Sequence, residues 1–568
     1  MNLKNYSQVH HLTAIAFILA LALVPSAHPA NIWDGSGADG FWNTAANWDN
    51  ETVPSASQNL TFSGNVQTIT TNNITSFTVG ATTASTYAIT FGNTGALGTS
   101  AFTLAGNQIT LNAGTGVGSG SIISSAVTVG SITDTISLNM SIATTATISL
   151  GANHNLIITG LLTQAASGKK QLTKAGIGEL ILRNAGNNYK GATTINAGTL
   201  TVDVAGGIQN AGVASALGAG TAGADSQINF SGGTLNVSLG AGSTDRQVRI
   251  GNDTFASTGG ANINNNSANG SNPLLFSNAA FNVSAGAITA NRLLTLGGAN
   301  TDANAISGVI SDNNTAGGGT VSLTKSGSGR WDLTGVNTYT GATTVNGGTL
   351  LVSNSGSIAQ SSLTTVTTGT TLTANGTVGA VAVNLGGTLN GAGTVGTTTV
   401  AGTLNPGNSP GVLNVNGNLT MASGGNMVWE LFANTATQAT PVAVFDQVLV
   451  SGNLAFAGSN GITLNFGTTA GGSTVSWSDS FWSSNRSFLI YDVAVSTSGF
   501  SNLSLLNTSF NDASGAALAE SQGRFTLSQL GSDVLLNYNA VPEPSTGTLL
   551  GFGFGGLVLT RLLRRKQS

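Results

Sequence analysis

The sequence predicts an all-β chain wound as a solenoid of short stacked strands. Three observations carry this. Only 7% of residues are charged, against roughly 25% in an ordinary globular protein. Glycine makes up 79 of 568 residues, while apolar residues still reach 40% and fall into short groups set between Gly and Asn. Third, long stretches repeat: "LTKAGIGELILRNAGNNYKGATTINAGTLTV" from Leu172 matches "LTKSGSGRWDLTGVNTYTGATTVNGGTLLV" from Leu323, with one extra residue between Arg183 and Tyr189. Few helix formers and frequent turn residues favour strands, and self-similarity of this length marks a stacked-repeat architecture.

Residues 1–30 read as a secretory leader. Lys4 supplies the basic start, Leu12–Val24 the apolar run, and "PSAHPA" the exit. Cleavage follows Ala27 or Ala30; neither site fits a clean A-x-A pattern.

Residues 31–60 form a Trp-rich N-terminal cap, with Trp33, Trp42 and Trp48 inside sixteen residues. Two readings stand. The indoles, with Asp34 and Asp49 beside two of them, form a sugar-stacking platform, or they seal the first coil as an aromatic plug. The plug is favoured, because a solenoid exposes a strand edge at its end that something must cover.

Residues 61–425 form the solenoid itself. In "GATTVNGGTLLV", Gly341, Gly347 and Gly348 suit sharp corners through positive φ. Thr343–Val345 and Thr349–Val352 have the length and pattern of short strands. Stacked coil on coil, Leu350 and its equivalents make a continuous apolar column, with Thr and Asn in outward or turn ladders. Gly-Thr-Leu or Gly-Thr-Val recurs at Gly233, Gly348, Gly376, Gly387, Gly393 and Gly402, too irregularly for a propeller.

Few residues in this body invite chemistry. Residues 31–540 carry twelve basic and twenty acidic groups, a net of −8, so no basic stripe awaits a nucleic acid. There is no cysteine, hence no disulfide and no thiolate site. His154 is the one histidine beyond the leader, read as a polar residue at a strand-joining turn. The densest charge cluster is Asp245, Arg246, Arg249 and Asp253; carboxylates here could share acid and base roles only if they face one groove. A salt-bridged outward face explains the cluster without chemistry. Lys174 and Lys325 hold matching repeat positions and read as exposed ladder residues or guards against edge pairing. No cofactor or protein-held metal is expected; an isolated calcium ion at a turn fits the composition, but no ligand can be named.

Residues 426–540 are richer in aromatics and longer apolar groups ("MVWELF", "VSWSDSFW", "FLIYDV") and are read as a separate C-terminal β cap, sandwich-like in character. The last segment, 541–568, ends the chain differently. "TGTLLGFGFGGLVLT" (Thr546–Thr560) is fifteen uncharged residues, about 22 Å as a helix. Leu562 and Leu563 extend it if Arg561 snorkels, giving a transmembrane helix. Arg564, Arg565 and Lys566 then favour a cytoplasmic end.

"VPEP" (Val541, Pro542, Glu543, Pro544), the apolar helix and the basic cluster of Arg561, Arg564, Arg565 and Lys566 together resemble the PEP-CTERM sorting signal of Gram-negative bacteria. That resemblance implies recognition by a membrane-embedded exosortase, removal of the tail, and delivery to the cell surface or extracellular matrix. The long repeats resemble the autotransporter-associated β-strand repeat of passenger domains, which implies a right-handed parallel β-helix. "GVISD" (Gly308–Asp312) and "LNPGNSPGVLNVNGNL" (Leu404–Leu419) fit the same pattern. The likeness is best over 172–202 and 292–352 and only compositional over 60–170. A classical autotransporter ends in a membrane β-barrel, whereas this chain ends in the helical tail. The expectation is therefore an exported, non-enzymatic surface or matrix protein acting in adhesion or biofilm, with exosortase, the inner membrane before processing, and exopolysaccharide or like rods as partners. Two alternatives remain: a polysaccharide-degrading β-helix enzyme, lyase or glycoside hydrolase, centred on Asp245–Asp253, and a carbohydrate-binding module at the N-terminal cap.

Overall fold

In a computed structural model of the chain, residues 31–542 are described apart from 81–87, 93–99, 113–120, 165–167, 222, 252–258, 284–289, 313–318, 439–442, 469–471 and 473. The leader, Asp253, Glu543, Pro544, the predicted transmembrane helix and its basic cluster lie outside the described residues. Among the described residues no helix is long and apolar enough to cross a membrane. The helical segments there are short 3₁₀ turns such as Ala45–Asn47 and Ser480–Ser483.

Each coil contributes up to three strands of two to eight residues, which pair in parallel with their equivalents in the neighbouring coils. The first full coil runs Leu60–Phe62, Ile69–Asn72, Phe77–Val79. Three faces result. The second is continuous, a ladder of seventeen strands from Ile69–Asn72 to Thr497–Ser498. The first holds eleven strands from Asn31–Trp33 to Val309–Ile310, then passes through the Val336–Ser357 bridge to the sheet that opens at Ser357–Ile358. The third has four strands up to Leu162–Gln164 and eleven more from Ser243–Thr244 onward.

Alternation decides which side chains face inward. Strand after strand reads buried, half-buried, buried, as Thr343–Val345 and Val381–Val383 do. One inward column runs Leu350, Leu372, Leu389, Leu404, Met427, Ile462, each residue paired with the next and fully buried. Beside it Thr349, Thr371, Thr388 and Thr403 stack half-buried. The irregular Gly-Thr-Leu/Val spacing now has a cause: these tripeptides open strands on all three faces. Thr234–Leu239 is on the second, Thr349–Val352 on the third and Thr377–Val378 on the first.

The glycines of the repeat do two jobs rather than one. Gly348 takes φ +55 as expected, but Gly341 is needed for close approach. A Cβ there would sit 2.2 Å from the Val321 carbonyl oxygen of the neighbouring coil.

The C-terminal segment differs from the separate cap expected over 426–540. Parallel pairing continues through Asn426–Leu431, Asn460–Phe466 and Leu503–Leu505, so the solenoid runs some eighty residues further. Its end is closed by a single antiparallel hairpin, Gly523–Leu530 with Asp533–Ala540, which pairs onto Arg486–Val493. Longer apolar groups mark wider coils here, not a change of fold. The 60–170 region, alike to the repeats only in composition, is stacked in the same way.

Candidate functional site

Trp33, Trp42 and Trp48 are each 0% exposed. Trp48 meets Trp33 edge-on at 5.2 Å and Trp42 at 6.4 Å, and Trp42 leans on Phe62 at 5.6 Å. Their indole N–H groups donate inward, Trp42 to Thr70 Oγ1 at 3.0 Å and Trp48 to the Trp42 carbonyl at 2.9 Å. Asp34 and Asp49 accept from the backbone N–H groups of Ser36 and Ile32. With no indole face open to solvent, the sugar-stacking reading of these residues is corrected: they seal the first coil.

The charge cluster also disperses. Asp245 lies at the corner between Ser243–Thr244 and Val248–Ile250, where its carboxylate accepts from Ala211 N at 2.7 Å. Arg246 turns into the lumen, donating to the Leu217 and Gly218 carbonyls at 3.0 and 2.6 Å. Arg249 stands on the outer face of its strand. Asp245 and Arg249 therefore do not share one strand face, and Asp253, the other carboxylate of the cluster, lies outside the described residues.

The matching lysines are buried, not exposed. In Leu172-Thr173-Lys174 the inward parity set by Leu172 carries Lys174 into the lumen, and Leu323 does the same for Lys325. Each ammonium is held by three corner carbonyls. Lys325 Nζ donates to Ser326, Gly327 and Gly347 at 2.7, 3.0 and 2.9 Å. Lys174 repeats this with Ala175, Gly176 and Ala197. Burial pulls both pKa values down to about 8. The other shared repeat residues are staples of the same kind. Asn187 and Asn337 accept from Leu162 N and Ile310 N of the preceding coil. Tyr189 and Tyr339, fully buried, each bond the threonine four residues on at 2.7 Å. The repeat signature thus spells out buried polar contacts that hold successive corners in register.

His154 is likewise buried, not placed in a turn. It opens the strand His154–Ile158, with Nε2 2.5 Å from Asp134 Oδ2, while Asp134 Oδ1 accepts from Phe102 N. Among the described residues no group of three or more His, Asp or Glu is placed to hold a metal ion.

Asp446 is a further buried carboxyl the sequence did not flag. It accepts from Gly411 N at 2.7 Å and Glu430 N at 3.0 Å. Burial pushes it up to about 8 despite the Gly411 bond, and the Glu430 carboxylate adds to the rise. Between its ordinary 3.8 and about 8, the folded chain holds a proton that the unfolded chain has lost. This group's contribution is therefore complete below pH ~4 and is lost as pH rises through ~8. Melting temperatures across pH 4–8 are expected to fall more steeply for the wild type than for Asp446→Asn; parallel curves would show that Asp446 titrates normally.

A cleft lies at the foot of the predicted sorting motif. It holds about 540 Å³ and is lined by Trp477, Asp479, Trp482, Gln522, Val541 and Pro542 among others. The final strand ends at Ala540, and Val541 N immediately donates to Gln522 O at 2.9 Å. Trp477 and Trp482 are edge-on at 4.8 Å and nearly buried, with Trp482 Nε1 bonded to Asn434. The motif therefore leaves the rod with no free linker. Val541 and Pro542 form part of the wall of the rod's end.

Comparison with known families and proteins agrees with this geometry. The passenger-associated-transport-repeat model matches residues 172–202 and 323–352, the two stapled repeats. The PEP-CTERM protein-sorting motif matches residues 540–566. The "Adhesin BmaC autotransporter" of Brucella suis biovar 1 (strain 1330) is 34% identical over 187 residues. That stretch is 33% of this chain and 5% of the adhesin, so the chain spans only a small part of that relative's length.

Proposed function

We propose that the chain is an exported, non-enzymatic β-solenoid of the cell surface or extracellular matrix, acting in adhesion or biofilm and sorted by exosortase through its tail. The observation that carries this is the junction at Ala540, where a closed rod of passenger-type repeats passes directly into the sorting motif. The inner membrane holds the chain through the tail before processing, and exopolysaccharide or like rods are its partners afterwards. The mechanism is physical. Rows of Thr and Asn repeat along the rod at the coil spacing of ~4.8 Å, so weak contacts recur in register. Linked contacts of this sort raise avidity by ~10²–10⁴ over one alone. Asp245 at a corner, Arg246 bonded in the lumen and Arg249 on the outer face speak against one catalytic groove among the described residues, and so favour the scaffold over the degrading-enzyme alternative.

The test is expression beside a matching exosortase, with Pro542→Ala/Glu543→Ala as the comparison, read by intact mass and cell fractionation. The wild type is expected to lose its tail and leave the inner membrane while the variant stays full-length and membrane-bound. Both forms remaining full-length in the inner membrane would refute the surface reading.

A further inference from the structure

On the outer side of the first face, four successive coils form a shallow polar cleft of about 250 Å³. Its floor is a row paired residue to residue: Thr173 with Thr194, Thr194 with Asn229, Asn229 with Arg249. Gln171 flanks it on one side and Asn196 and Ser231 on the other. At the coil spacing of ~4.8 Å the row spans about 14 Å along the solenoid axis.

Two features show that this row is suited to a ligand. The Asn196 and Asn229 side-chain oxygens are buried within it without a hydrogen-bond partner, a state that costs free energy until a donor arrives. Charge also concentrates on these coils. The body is net negative, yet seven of the twelve Lys and Arg residues between 31 and 540 fall within 169–251, against four of the twenty Asp and Glu. Lys169, Lys170 and Lys190 stand at the corners leading into the strands and Arg249 on the floor, with Lys169 paired to Asp225. A guanidinium carries five donors in a planar fork, so Arg249 can bond a carboxylate while also meeting a neighbour.

We propose that this cleft binds an extended acidic polysaccharide, laid along the solenoid axis with about one sugar ring per coil. Sugar hydroxyls donate to Asn196 and Asn229 once a turn of each side-chain amide brings its oxygen to the cleft, and accept from the threonine hydroxyls, and a uronate carboxylate pairs with Arg249. The axial direction follows from the row itself, since its hydroxyls and amides repeat coil by coil. Among the described residues lining the cleft there is no acid–base pair, which suits holding a polysaccharide. The proposal deepens the surface and matrix reading and rests on it.

The test uses the full chain in detergent, with fluorescent oligogalacturonate as the acidic probe and a cello-oligosaccharide of equal length as the neutral one. The acidic probe is expected to bind more tightly, and Arg249→Gln to weaken it roughly ten- to hundredfold while barely changing the neutral probe. Thr194→Val, nearly equal in volume, tests the floor independently should Arg249→Gln lower the melting temperature; it is expected to weaken both probes. Equal binding of the two probes, or no loss in either variant, overturns the proposal. Protease accessibility on intact cells separates the two levels. A rod reached by protease that ignores oligogalacturonate refutes the cleft alone, whereas a rod that never becomes accessible refutes the surface reading beneath it.

Discussion

Trp42→Ala is expected to destabilise the N-terminal end of the rod by about 3–5 kcal/mol, the usual cost of emptying a fully buried tryptophan site. The indole is enclosed by Trp48, Phe62 and Phe77, and its N–H satisfies Thr70 Oγ1 within the core. Removing it leaves a cavity between the first coils and a hydroxyl without its donor. Urea titration and amide exchange should show the loss concentrated in residues 31–80. Soluble glycans should bind the variant as they bind the wild type. A stable variant with impaired glycan binding would restore the sugar-stacking reading.

Lys325→Met should cost nearly as much for an opposite reason. The methionine retains most of the apolar stem but leaves the Ser326, Gly327 and Gly347 carbonyls without their shared donor. Bonds to a charged group contribute ~1.5–3 kcal/mol, and a buried acceptor left bare costs ~1–3 kcal/mol, so a loss of about 3 kcal/mol is expected. The relief of burying a charge offsets part of the total. Exchange protection should fall first across the coils at 321–352, since each coil in a solenoid leans only on its neighbours. Lys169→Ala is the control, an exposed lysine in a surface pair whose loss should cost under about 1 kcal/mol. A pH signature accompanies the cradle. With the folded pKa lowered to about 8 and the ordinary value 10.5, the unfolded chain binds the proton more tightly. Stability therefore rises as pH goes from about 8 to 10.5 in the wild type, and less so in Lys325→Met. Equal stability of the two proteins at pH 7 would show that the carbonyls find water instead.

The lysines also show how much was legible and where reading failed. Alternation from Leu172 and Leu323 places Lys174 and Lys325 inward, and that parity was present in the sequence. General expectation about charge outweighed it, because a lysine is rarely buried unless paired. What made burial tolerable was a corner carbonyl of the next coil, Gly347, twenty-two residues away. The Asp245–Asp253 stretch failed in another way. Parity counted along a single strand puts Asp245 and Arg249 on one face, whereas a corner at Asp245–Gln247 turns Arg246 inward and breaks that count. The polar cleft had no local signal, as its floor draws one residue from each of four coils.

By itself the sequence determined the all-β solenoid, the repeats and the sorting tail. Strand alternation, turn glycines and a tripartite tail are properties of neighbouring residues, written within a few positions of one another. Only the tertiary structure decided that the tryptophans seal the rod, that the lysines and Arg246 bind carbonyls in the lumen, that coils continue past 426, and that Arg249 shares a floor with Thr173, Thr194 and Asn229. Each of these depends on which residue of the next coil lies alongside. That neighbour is typically twenty to thirty-five positions away, at a distance set by loops whose length varies from coil to coil.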